Sequence, residues 1–248
     1  MHVLLAALLV ATTSTGTPDT SATPFLYRVL MTRAAPGELL ALIDLYRSRM
    51  PVYRAGDGEP LILRHRQGDQ WDLFLLFPME SFAAYYSRDR MARRDGAAAG
   101  SAMSDAEFER EVAARVSWRE ELFVEGPPPD EVFAIADGGT FFHIEMFIAL
   151  PGKYDALLEQ RHMENAYLAA LDRPTNTIFT RVAGAAWDLF TLGVYASLPY
   201  YAESDTISAA RADAAAKAAG FEGGDRIGTY MRTLILEHKD TLLGRVSN

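Results

Sequence analysis

Residues Gly184 to Tyr195 read GAAWDLFTLGVY, and the phrase G-x-x-W-D-L-F has already been spelled 116 positions earlier, in GDQWDLFLLF from Gly68 to Phe77. Around it the two copies extend. ILRHRQGDQWDLF (62–74) falls on IFTRVAGAAWDLF (178–190), and TRAAPGELLALIDLY (32–46) on FIALPGKYDALLEQR (147–161). WREELFVE (118–125) falls on YMRTLILE (230–237). Three blocks in one order at a nearly constant offset point to a duplicated unit rather than chance.

Each copy has the same element order. PFLYRVLMTRA and TFFHIEMFIAL are rich in β-branched and aromatic residues and predict strands, each closed by Pro-Gly. Leu39, Leu42, Ile43, Tyr46 and Met50 follow at helical spacing, and YDALLEQRHMENAYLAAL does the same work in the second copy. Two strands joined by a Gly-containing turn come next, then a helical region and a final strand. Ser104 and Glu107 have the spacing of a capping box, and Gly220 ends the Ala-rich segment as a C-terminal glycine should. The order β-α-β-β-α-β defines an α+β, ferredoxin-like unit. WDLFLLF is apolar at both parities, so its sheet needs cover on both faces. The expectation is two tandem ferredoxin-like repeats, 25–126 and 140–248, with sheets facing each other as an intrachain α/β-barrel. EGPPPDEVFAIADGGT supplies a linker over 127–139.

The chain has 248 residues, a formal net charge of −9 and no cysteine. The acidic balance disfavours binding to phosphate backbones, so nucleic acid is not an expected partner. The absence of cysteine removes disulfides and thiolate chemistry. Val3 to Ala11, VLLAALLVA, is too short for a membrane span and matches the core of a signal peptide over residues 1–22. Export to the periplasm or medium follows as an expectation, with no stable membrane span.

A strand ending in Pro-Gly, an amphipathic helix, then a hairpin whose second strand carries W-D-L-F resembles the dimeric α/β-barrel superfamily. ALPGKYDALLEQRHMENAYLAAL is the stretch most similar to it. That superfamily includes antibiotic-biosynthesis-type monooxygenases, NIPSNAP-like proteins and tandem chlorite-dismutase-like haem proteins. The resemblance implies the fold over about residues 25–248 and leaves the function open, because its members include cofactor-free oxygenases, isomerases, haem enzymes and plain binders. A tandem chain contains both partners of the usual pair, so a monomer acting as an internal pseudo-dimer is expected.

No Walker A, G-x-G-x-x-G, H-E-x-x-H or G-x-S-x-G pattern is present, so the sequence offers nothing for phosphoryl transfer, hydride transfer or classical hydrolysis. The candidate site comes from asymmetry between the copies. On the first helix of the second copy Arg161, His162 and Asn165 interrupt an apolar stripe where the first copy has Tyr46, Arg47 and Met50. On its first strand Phe142, Ile144 and Met146 are expected to pack under the helices. His143, Glu145 and Phe147 are then expected to face the space between sheets, where the first copy has Arg28, Leu30 and Thr32. The assignment is His143, His162 and Glu145 as catalytic groups, with Arg28, Arg161, Asn165 and Phe147 contacting an apolar or aromatic small molecule. A buried structural pair, such as Arg28 with Glu145, is the plain alternative reading of the same residues. His143, Glu145 and His162 have the composition of a metal triad, but no metal and no cofactor are expected. His65 and His238 read as solvated strand ends. Asp72 and Asp188 recur in both copies and read as structural. The function expected is an exported small-molecule-binding protein, an oxygenase or isomerase needing no cofactor. A non-catalytic interaction protein and a haem-binding protein are the alternatives.

Overall fold

The computed structural model describes residues 24–203 and 207–246; the expected signal peptide lies outside them. The first half runs β1 (Phe25–Ala34), α1 (Leu39–Ser48), α2 (Met50–Ala55), β2 (Leu61–Gln67), β3 (Leu73–Glu80), α3 (Phe82–Tyr85), α4 (Arg88–Ala99), α5 (Asp105–Arg115) and β4 (Val116–Gly126). After α6 (Pro129–Asp137), the second half runs β5 (Phe141–Ala149), α7 (Tyr154–Ala170), β6 (Thr177–Gly184), β7 (Leu189–Tyr195), α8 (Leu198–Ala202), α9 (Ala209–Ala218), α10 (Ile227–Arg232) and β8 (Ile235–Arg245). Each half therefore carries the expected order, and Ser104 and Glu107 form the expected capping box of α5.

All pairings are antiparallel, and they go beyond two sheets laid face to face. Within the halves the order is β4-β1-β3-β2 and β8-β5-β7-β6; between them β2 pairs with β8 and β4 with β6. The eight strands thus form one ring, in which no strand is left with an open edge. The middle of the interior is apolar and rich in aromatic rings. Phe190 stacks on Phe179 at 4.6 Å between ring centroids and meets Phe74 edge-on at 5.4 Å. Val29, Met31, Leu76, Val124, Phe142, Ile144 and Met146 fill the space around them.

This reverses the expected parity of β5. Phe142, Ile144 and Met146 look into the ring, while His143, Glu145 and Phe147 look outward to the helices. The strands are buried on both sides, so alternation does not mark which face is which; the ring centre, shut off from water, takes the wholly apolar set. Outside the ring, the first half has a broad apolar layer in which Leu30, Ile62, Leu75 and Phe77 meet Leu42, Ile43, Tyr46 and Phe108 of the helices. In the second half that layer shrinks to Phe147, Leu157, Leu189 and Leu234.

The repeated G-x-x-W-D phrase is where the halves are joined. Gly184 (φ +100°) and Gly68 (φ +125°) occupy backbone conformations that favour glycine. A Cβ on Gly184 would lie 2.5 Å from the Glu121 carbonyl oxygen and 2.7 Å from the Leu122 Cα on β4; one on Gly68 would strike Asp240 and Thr241 of β8. Each hairpin thus presses against the closing strand of the other half. Trp71 and Trp187 turn into the ring. Asp72 Oδ2 accepts from the Ala34 amide (2.8 Å) and Asp188 Oδ2 from the Ala149 amide (2.9 Å), tying off the ends of β1 and β5. Both acids are structural, as their recurrence implied.

The stretch read as a linker contains a helix. Pro129 opens α6, Asp130 and Glu131 sit in its first turn, and Val132 and Ala136 are fully buried against the ring's interior cluster. Among the described residues no helix is long and apolar enough to cross a membrane.

Candidate functional site

Where the apolar layer thins, a polar cluster takes its place between α7 and the outer face of β5, β7 and β8. Register sets its members side by side: Glu145 of β5 lies opposite Asp240 of β8 and Thr191 of β7, and Phe147 lies opposite His238. From above, α7 delivers Gln160, Arg161 and Glu164. Arg161 is 2% exposed and its guanidinium lies 4.6 Å over the Phe147 ring. It donates to Glu145 Oε2 (3.3 Å), Glu164 Oε2 (2.5 Å) and Gln160 Oε1 (2.7 Å). Thr191 Oγ1 also donates to Glu145 Oε2, at 3.1 Å.

The two histidines stand on either side of Asp240, the exposed member of this cluster. His143 Nε2 is 3.0 Å from Asp240 Oδ1, and its ring sits 5.3 Å from that of Tyr201. His238 stacks on Phe147 at 4.7 Å with 17° between planes. Its Nε2 is buried yet has no hydrogen-bond partner: Glu145 Oε1 is 3.5 Å away and Asp240 Oδ1 is 3.6 Å away. The Asp240 side chain is 53% exposed and opens the cluster to solvent.

Burial by itself would raise the Glu145 carboxyl, but His238, Arg161 and His143 outweigh it and hold the group at about 2. Glu164 goes the other way: burial raises it, and Arg161 does not fully compensate. The two acids share one guanidinium, but Glu145 has imidazoles and Thr191 as well, so Glu145 is the fixed anion and Glu164 the one that takes up a proton first. Burial also raises the Tyr195 and Tyr201 phenols beside the cluster, keeping them neutral hydrogen-bonding groups.

Of the residues singled out in the sequence, His143, Glu145, Phe147 and Arg161 do meet, although outside the ring rather than between sheets. His162 does not join them: one position along α7 turns it to solvent, where it is exposed. Asn165 exchanges two hydrogen bonds with the Asn176 backbone, at 2.7 and 2.8 Å, and so braces the chain entering β6. Arg28 belongs to the other half, where it pairs with Glu121 rather than with Glu145. His238 is not a solvated strand end. It and Asp240 complete the cluster, and the signal for them was the i, i+2 spacing of HKD on a strand that lies beside β5.

Two broader clefts, of about 510 and 630 Å3, lie elsewhere, around Met50, Ile62 and Val246 and around Arg54, Arg90 and Arg93. Arg54 is paired there with Glu59, Arg93 with Asp57 and Arg245 with Asp137, and Arg90 donates to the backbone carbonyls of Gly56, Asp57, Pro78 and Met79.

No family model matches the chain, and no curated protein matches it. Solved structures do. An anthrone oxidase-like protein superposes with a TM-score of 0.58 at 12% identity, covering 92% of this chain and 93% of its own. A proposed monooxygenase from Fusobacterium nucleatum subsp. nucleatum gives 0.56 at 9% identity, covering 92% and 94%. A proposed chlorite dismutase gives 0.52 at 13%, covering 91% and 96%. At such identities the likeness is one of fold, and it extends over nearly the whole of each chain.

Proposed function

We propose that this chain is a small-molecule-binding protein of the α/β-barrel type, with its site on the outer face of the second half between α7 and strands β5 and β8. The observation that carries the reading is the replacement, in one half alone, of the apolar layer under the helices by converging polar groups that reach solvent through Asp240. Polar groups buried at such a place cost stability unless paired, and a folding role alone did not require them in the first half, where the apolar layer suffices. The oxygenase or isomerase chemistry expected from the sequence draws on this same set. Glu145 stays ionised and Arg161 fixes its orientation, while the imidazoles lie beside Asp240, through which the cluster meets solvent.

A haem, the alternative that the sequence resemblance raised, does not fit these residues as arranged. Its ligand would need an imidazole beside an open slot, and His238, whose Nε2 has no hydrogen-bond partner, is stacked flat on Phe147. His143 Nε2 is engaged by Asp240, its ring packs on Tyr201, and Arg161 fills the space over Phe147.

Native mass spectrometry of the purified chain, followed by release and identification of retained small molecules, tests the site. The wild type should carry or capture a ligand that Glu145→Gln and Tyr201→Ala lose and His162→Ala keeps. Equal capture by all four would put the ligand elsewhere on the chain and overturn the site, and no capture by the wild type would move the chain to the non-catalytic interaction class. Export is proposed from Val3–Ala11; N-terminal sequencing of native material tests it, and a mature chain that retains those residues refutes it. The ring uses every strand edge within one chain, which supports a monomer; light scattering at a mass well above 27.4 kDa would overturn that.

A further inference from the structure

We infer that His143, His238, Glu145 and Asp240 form a binding site for a divalent transition-metal ion. The inference rests on the site reading above and names what it holds first. The side chains come from alternate positions on two neighbouring strands: His143 and Glu145 on β5 converge with Asp240 on β8, and His238 stands at the edge of that set, close to Glu145 and Asp240. One ligand atom each from His143, Glu145 and Asp240 lies within 4.8 Å of the others. The His238 imidazole joins them from beside Phe147.

The spacing suits an ion better than it suits direct pairing. Ligand atoms held about 2.0–2.1 Å from a zinc-sized ion in tetrahedral geometry sit about 3.3 Å from one another. The separations are 3.0 Å for His143 Nε2 to Asp240 Oδ1, 3.5 Å for His238 Nε2 to Glu145 Oε1, and 3.6 Å for His238 Nε2 to Asp240 Oδ1. The last two are too long for good hydrogen bonds, and they leave a buried imidazole nitrogen without one.

Supporting contacts have the arrangement a metal site requires. Arg161 and Thr191 both donate to Glu145 Oε2 and so leave Oε1 to face His238. Phe147 fixes the His238 ring plane by stacking. The backbone beneath is paired sheet, which holds ligands more tightly than a loop. Two imidazoles and two carboxylates suit zinc, manganese, iron or cobalt, and suit magnesium or calcium poorly. The first half has no such set at the matching place: Arg28 lies there on Glu121.

The test uses full-length protein stripped with chelator and titrated with Co2+ by visible absorption, and with Zn2+ by calorimetry. One ion per chain is expected, with visible Co2+ bands. His238→Ala and Asp240→Asn should each weaken binding about 10–100-fold or abolish it, as loss of a metal-site partner does. His162→Ala should leave it unchanged. Asp240 is exposed, so Asp240→Asn keeps the fold and serves even if His238→Ala unfolds. Absence of one-to-one binding in the wild type, or unchanged binding in the Asp240 variant, overturns the inference. Small molecules retained by a chain that binds no Co2+ would sink the metal site alone. Metal bound as expected with no small molecule captured would instead sink the function proposed above.

Discussion

Alanine at Gly184 tests whether the two halves are truly joined through their hairpins. The residue has φ +100°, which costs a side-chain-bearing residue about 1–3 kcal/mol. Its new Cβ would lie 2.5 and 2.7 Å from backbone atoms of Glu121 and Leu122, which are locked in the β4–β6 pairing and cannot swing aside. Overpacking of that kind adds about 1–3 kcal/mol. The sum is about 4 kcal/mol, or roughly 8–16 °C in Tm for a chain of this size. Gly96 is the control: it lies inside α4 at negative φ, and a Cβ there meets nothing within 4 Å. Gly96→Ala should therefore stabilise by about 0.5–1 kcal/mol. Urea unfolding followed by tryptophan fluorescence reads both variants, since Trp71 and Trp187 sit inside the ring beside the two hairpins. If Gly184→Ala unfolds at the wild-type midpoint, the hairpin does not press on β4 and the ring is not closed as described. Gly68→Ala should behave like Gly184→Ala, because its Cβ would strike β8 in the same way.

Arg161→Met, in metal-free buffer, should cost about 3–5 kcal/mol by stranding Glu145 of β5 and Glu164 of α7 without their cation, whereas Glu164→Gln should cost far less; similar costs for both would refute the shared-guanidinium picture. Phe190→Ala should cost about 3–5 kcal/mol in chemical denaturation, since the ring lies between Phe74 and Phe179 in the closed interior. His162→Ala should change stability by no more than about 0.5 kcal/mol, and a larger loss would mean the residue is not on the solvent side of α7. The Glu145 carboxyl is held at about 2, below its value in an unfolded chain, so its contribution is present above about 4.5 and lost as pH falls toward 2. In metal-free buffer the stability gap between wild type and Glu145→Gln should accordingly narrow across that window, and a constant gap would contradict it.

The element order could be read directly, because Pro36-Gly37 and Pro151-Gly152, the G-x-x-W-D turns and the helical spacing of Leu39 to Met50 are all local signals. What failed was the choice of face on β5. Phe142, Ile144, Met146 and Phe147 are all apolar, and only knowledge that the middle of the ring is filled by apolar side chains assigns the first three inward. Half of the site was legible for the same reason: His143, Glu145 and Arg161 stand out within their own elements as polar residues on covered faces. His238 and Asp240 did not, since an exposed strand end and a strand beside β5 look alike along the chain; their meaning comes from the pairing of Glu145 with Asp240 across 95 positions. His162 misled because one step along a helix turns a side chain by about 100°, enough to exchange cover for solvent.

β8 is the last strand of the described chain, yet it lies between β2 and β5 and touches both halves. A ribosome making this protein in order therefore releases seven strands before the piece that seals them. Until then the free sides of β2 and β5 are open to any other strand nearby, during exactly the seconds when neighbouring nascent copies are close. His238 and Asp240 arrive with that same final segment. A chain cut short before Ile235 would thus lose its seal and two of the four groups of the site together, leaving His143 and Glu145 without the partners that β8 brings.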